Sequence, residues 1–265
     1  MNTQPEARIE PRPDTAPLVK PQRWARLYGG LYVINIVGSS FAFGYLDALV
    51  VPGDAAATAH NILANALLYR VSLVAHLIAV LTNIPGALLF YELFKVVNRR
   101  LALLDVFFGL VATAVEGANL LSQFTPLLLL GGGHATSAFT PAQVQALASL
   151  PFGSQAIAYD IQQVFYATDF LVVGYLLFRS TFVPRTVGVV LWIGALCYLT
   201  YSFADLLAPG FAAYLFPYIQ VPSGLAELSL CLWFLVMGVN VSRWEKQASQ
   251  ASELDSRVLG RAAVQ

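Results

Sequence analysis

Six stretches of this chain are each long and apolar enough to cross a lipid bilayer, at approximately residues 27–50, 70–96, 101–130, 155–178, 184–208 and 218–241. About 20 largely apolar residues in helical form span the ~30 Å of hydrocarbon, because lipid offers the backbone no hydrogen-bond partner outside the chain itself. The sequence therefore predicts an all-α integral membrane protein built as a six-transmembrane-helix bundle. Pro217 and Pro222 interrupt the last stretch, so its helix is expected to start near Pro222, leaving 211–220 as an aromatic interfacial segment. The chain is 57% hydrophobic and 11% charged, where a soluble domain carries roughly 45–50% and about 25%. An ordinary soluble enzyme is excluded.

Residues 1–26 hold five prolines and five Lys/Arg with few large apolar side chains, a composition that cannot bury enough surface to order itself. A disordered cytoplasmic tail is expected at 1–26, a transmembrane domain at 27–241 and a second cytoplasmic tail at 242–265. The first apolar run exceeds the usual length of a signal-peptide core, so it is expected to stay in the mature protein. With the N-terminus inside, fourteen of the fifteen Lys/Arg fall on cytoplasmic segments and only Arg70 on the outer half. By the positive-inside rule both termini are cytoplasmic. Fifteen acidic residues balance the basic ones, which leaves no net field to recruit nucleic acid. Cys197 and Cys231 lie inside apolar runs and read as small core residues rather than a disulfide framework.

The outer connections carry helix signals of their own. Pro52-Gly53-Asp54 is a turn followed by an N-cap, and Thr140-Pro141 caps and starts another short helix. Short amphipathic helices at the outer leaflet are expected to cover that end of the bundle.

The run Val51-Pro52-Gly53-Asp54-Ala55-Ala56-Ala57-Thr58-Ala59, continuing to Asn61-Ile62 and Leu68-Tyr69-Arg70, is the most specific of several recognisable segments. Others are Tyr159-Asp160, Gly174-Tyr175-Leu176-Leu177-Phe178-Arg179-Ser180 and Pro222-Ser223-Gly224-Leu225-Ala226-Glu227-Leu228. Together they resemble a bacterial multi-pass membrane family catalogued as "domain of unknown function 4386", over roughly residues 25 to 240. The resemblance implies the bacterial cytoplasmic (inner) membrane and implies no activity.

Function must then be read from polar groups inside the bilayer, where an ionisable side chain costs about 2.5–3.5 kcal/mol on insertion scales and needs a partner, a watery cavity or a role. At ~1.5 Å of rise per residue, Glu116 lies roughly 22 Å from the cytoplasmic boundary, and His76, Asp160 and Glu227 fall at similar depth. Polar stripes run along the third span through Gly109, Thr113, Glu116, Asn119 and Gln123, and along the sixth through Ser223, Gly224 and Glu227. The candidate ligand-binding residues are Arg70, His76, Glu116, Asn119, Asp160 and Glu227, with Asp169 as a deeper relay. Arg70 is expected to pair with Glu116. Three acids close together cannot all be ionised and dry, so a proton, water or a cation must join them.

Several chemistries fall away. No mid-membrane lysine is present for a retinal Schiff base, no His-x-x-x-His pair for catalytic zinc, and no phosphate loop or Gly-x-Ser-x-Gly nucleophile turn. No cofactor and no metal is expected. Three readings stay open: a small-ligand or cation-binding protein, or proton-coupled transporter, working through the acidic pocket; an intramembrane enzyme acting on a lipid or isoprenoid with Glu116, Asp160 or Glu227 as acid/base; and a non-catalytic sensor or assembly partner. The first is preferred over an enzyme. The expected partners are the lipid bilayer and a small-molecule, lipid or cation ligand, with no nucleic acid.

Overall fold

A computed structural model describes residues 20–132 and 136–262. Among these residues the fold is all-helical: α1 Pro21–Leu49, α2 Ala55–Ala64, α3 Ala66–Gln123, α4 Thr125–Leu130, α5 Pro141–Arg179, α6 Arg185–Leu207, α7 Pro209–Leu215, α8 Gln220–Leu232 and α9 Val241–Ala262. A π-helical turn, Trp233–Met237, extends α8. Five stretches are long and apolar enough to cross a membrane: Pro21–Leu49, Ala66–Leu130, Pro141–Arg179, Arg185–Leu207 and Gln220–Met237.

The second of these is two arms rather than one rod. Asn98 leaves helical geometry, with φ −158° and ψ 107°, and its side-chain oxygen accepts from the Leu101 N–H at 3.0 Å, capping the helix that restarts after it. The arms, 66–97 and 99–123, fold back on each other. The Tyr69 hydroxyl donates to the Gln123 carbonyl at 2.7 Å across 54 positions of sequence, a contact impossible along a straight helix.

Other element boundaries follow local chemistry. Asp54 accepts from the Ala57 N–H at 2.9 Å and opens α2 as its spacing predicts. Thr140 and Gln143 form a reciprocal capping box at the start of α5. That helix does not stop after one short amphipathic segment. It runs through Pro151 to Arg179 as a single element, so the expected outer helix and the fourth apolar span are continuous. At the chain's start, α1 begins at Pro21 rather than near residue 27, using a proline at its first position, where the missing N–H costs nothing. The expected disordered tail otherwise lies outside the described residues up to position 19. The expected C-terminal tail is helical as α9 up to Ala262.

One end of the bundle is tied by polar contacts. Gln22 donates to the Met237 carbonyl and accepts from the Val239 N–H, at 3.0 and 2.9 Å. The Trp244 indole N–H of α9 donates to the Leu93 carbonyl at 2.9 Å. An apolar core built around Phe94, Phe182, Phe234 and Trp244 fills this end, and a second around Leu46, Ile62, Leu73 and Leu120 fills the other. Large apolar side chains also cover the outside, among them Val37, Leu81, Leu88 and Phe107, as a lipid-facing surface requires and an aqueous one rarely tolerates.

Helices approach closely where small residues face. A Cβ on Gly194 of α6 would lie 2.6 Å from the Ala226 Cβ of α8, and Ser223 of α8 donates to the Gly194 carbonyl at 2.9 Å. Such contacts are how helices associate where lipid removes the hydrophobic driving force.

Candidate functional site

Between the two apolar cores lies a cavity of about 390 Å³, to which α1, both arms of α3, α5, α6 and α8 all contribute lining residues. At about 30 Å³ per molecule it would hold roughly a dozen waters. Four carboxyl groups line it, from Asp105 and Glu116 on the second arm of α3, Asp169 on α5 and Glu227 on α8, and no Lys, Arg or His does so among the described residues.

Glu116 marks the level farthest from Asn98. It is 6% exposed, and its Oε1 lies 3.0 Å from Nε2 of His76, which is fully buried on the first arm. Phe43 of α1 packs edge-on against the imidazole at 4.8 Å between ring centres, while His76 Nδ1 has no hydrogen-bond partner among the described residues. The expected Arg70–Glu116 pair does not form. Arg70 lies on the exposed face at the start of the arm, and the carboxylate is met instead by the histidine one and a half turns further along. Asn119 is buried yet lies outside the cavity; its backbone carbonyl accepts from the Ser122 hydroxyl at 2.7 Å.

Glu227 sits deeper, with its Oε1 accepting from the Tyr198 hydroxyl of α6 at 2.5 Å. Tyr198 belongs to a belt of rings. Its centre lies 6.4 Å from Tyr166 and 6.5 Å from Phe170 on α5. The Tyr166 and Tyr32 hydroxyls are hydrogen-bonded to each other. Tyr32 in turn lies 6.0 Å from Tyr28 on α1, which lies 5.5 Å from Phe90 on the first arm. On the face above the belt, Asn35 of α1 donates to both the Ala79 carbonyl and the Asn83 side chain, at 3.0 and 2.9 Å.

At the level nearest Asn98, Asp105 and Asp169 bring their carboxyl groups side by side, the first 6% and the second 8% exposed. One Asp169 oxygen, Oδ1, has no hydrogen-bond partner among the described residues. Two carboxyl oxygens meet only with a proton or a cation between them. Asp169 is where the sequence suggests a deeper relay, but Asp105 escaped the sequence reading. Four residues past the expected start of its span, it passes for an interfacial charge; the signal that finds it is its register with Gly109, Ala112 and Glu116 on one helix face.

Asp160 is not part of this cavity. It lines a second one of about 380 Å³ with Asp205, Tyr201 and Gln220, while Tyr159 and Tyr198 border both. The expected single pocket of Glu116, Asp160 and Glu227 is therefore divided: the two glutamates share a cavity with Asp105 and Asp169, and Asp160 joins Asp205 next door. Chemically the main cavity offers carboxylates at three depths, amide and hydroxyl groups between them, and aromatic rings, a set suited to a positively charged guest.

The family model described as "Domain of unknown function (DUF4386)" matches residues 27–238, most of the chain. No curated protein and no solved structure matches it. The protein belongs to the DUF4386 family.

Proposed function

We propose that this chain crosses a bacterial inner membrane six times, with both termini cytoplasmic, and that its intramembrane cavity binds a small cation as the substrate or signal of a carrier or receptor. Six crossings follow from counting the two arms of α3 separately, each arm exceeding the ~20 residues a bilayer needs. Orientation is supported by Lys95, Arg99, Arg100, Arg179, Arg185, Arg243 and Lys246, which cluster at the end bearing Asn98. On that threading α2, α4 and α7 lie at the outer leaflet.

The observation that carries the cation reading is the charge of the lining: four carboxyl groups without a basic side chain among the described lining residues. A low-dielectric cavity with that composition is neutralised by protons or by an incoming cation, and it repels anions. Ionisable side chains that face a cavity inside a membrane mark substrate, ion or proton paths.

Thermal unfolding of the purified protein in detergent tests this with sodium, potassium and methylammonium chloride at constant ionic strength. A cation that binds the folded protein alone, at a hundred times its Kd, adds about 2.7 kcal/mol of stability. At least one of the three is expected to raise the melting temperature by several degrees, and Glu227→Gln and Asp169→Asn are expected to abolish that rise. No cation-specific rise, or a rise that both variants retain, overturns the reading in favour of an intramembrane enzyme or a non-catalytic assembly partner.

A further inference from the structure

The carboxyl groups of the cavity are spread over its depth rather than gathered. Among the described residues no three His, Cys, Asp or Glu side chains converge as a metal site would require, whereas a hard inorganic cation such as calcium takes six to eight oxygens at about 2.3–2.6 Å. What converges instead is the ring belt. Tyr28, Tyr32, Phe90, Tyr166, Phe170 and Tyr198 all line the cavity, drawn from four elements and joined through the Tyr32–Tyr166 hydroxyl bond. The Tyr198 hydroxyl holds the Glu227 carboxylate at the edge of that belt. Inner carboxyls follow directly below, since Asp169 lies three residues, or ~4.5 Å of helix rise, beyond Tyr166 on α5.

Rings attract a cation whose centre comes within about 6 Å of their faces, and they do so best when the ion is weakly hydrated. An alkylated ammonium is such an ion: its charge is spread over methyl or methylene hydrogens, it sheds water readily, and its apolar skin suits a ring-lined wall. Sodium and potassium hold their hydration shells more tightly and gain less from rings.

We propose that the cavity takes an organic ammonium ion, with its alkylated nitrogen against the rings of Tyr28, Tyr32, Tyr166 and Tyr198 and the Glu227 carboxylate as its counter-charge. This rests on the cation reading above and names the class of cation.

The test is a pair of probes that differ only at the charged atom. Choline and its neutral carbon isostere 3,3-dimethylbutan-1-ol have nearly the same shape, and their binding to the full-length protein in detergent is measured by isothermal titration beside sodium and potassium. Choline is expected to bind at least tenfold more tightly than the isostere and than either inorganic ion. Tyr28, whose hydroxyl makes no hydrogen bond among the described residues, serves as the ring probe: Tyr28→Phe is expected to keep choline binding within threefold, and Tyr28→Leu to weaken it at least tenfold. The wild-type comparison of choline with its isostere decides the matter even where Tyr28→Leu does not fold. Equal binding of the two probes overturns the ammonium assignment. So does tighter binding of sodium or potassium that Glu227→Gln removes, an outcome that leaves the cation reading standing. If no cation of any kind binds, the cation reading itself fails and takes this inference with it.

Discussion

At the scale of single residues, the partner of Glu116 is the finding that changes most. Counting rise along helices gives depth, and depth alone makes Arg70 and His76 both candidates. Rotation about the helix axis separates them: His76 points inward and Arg70 outward, where a long side chain can carry its guanidinium to water. Depth was legible in the sequence, and the packing rotation that chooses between neighbours was not. Removing one partner of a buried, hydrogen-bonded pair strands the other at a cost of about 3–5 kcal/mol when the pair is charged, while removing both is often tolerated. His76→Ala and Glu116→Ala are each expected to lower thermal stability in detergent by more than the double variant, whereas Arg70→Ala is expected to stay within about 0.5 kcal/mol of wild type. Additive losses at 76 and 116 would remove the pair from this account.

At the scale of elements, the apolar runs and caps were readable because each depends on residues adjacent in sequence. Asp54 and Thr140 start their helices where expected. Continuity through Pro151 was not readable, because a proline interior to a helix removes one bond and the packing of the rest decides whether the helix survives. The α6–α8 contact was likewise hidden, since Gly194 and Ala226 meet only in space. Gly194→Val is expected to lower stability by about 1–3 kcal/mol by forcing α8 away from α6, and to weaken cation binding with it, because Glu227 lies on the same helix as Ala226. A control at Gly210, where a new Cβ meets nothing within 4 Å, is expected to leave both unchanged. Unfolding curves of the two variants side by side check this, and equal behaviour would deny the close approach.

At the scale of the whole molecule, the sequence conveyed the membrane class, the family and an acid-bearing interior. It misdrew the interior's plan by merging two cavities and omitting Asp105, since helical stripes say which residues face inward but not which inward faces share one space. Threading is checked by single cysteines at Ala138 and Gln250 in a protein lacking Cys197 and Cys231. An impermeant maleimide applied to intact cells is expected to label position 138 and to reach position 250 only after permeabilisation; the opposite pattern inverts the orientation.

Central to the proposal is that an organic ammonium ion enters the cavity and meets its carboxyl groups. Infrared difference spectra of the protein in lipid vesicles, recorded with and without choline, read those groups directly. Carboxyl bands are expected to change on loading, and the change to shrink in Glu227→Gln. Spectra in which choline leaves every carboxyl band untouched in the wild-type protein would contradict it.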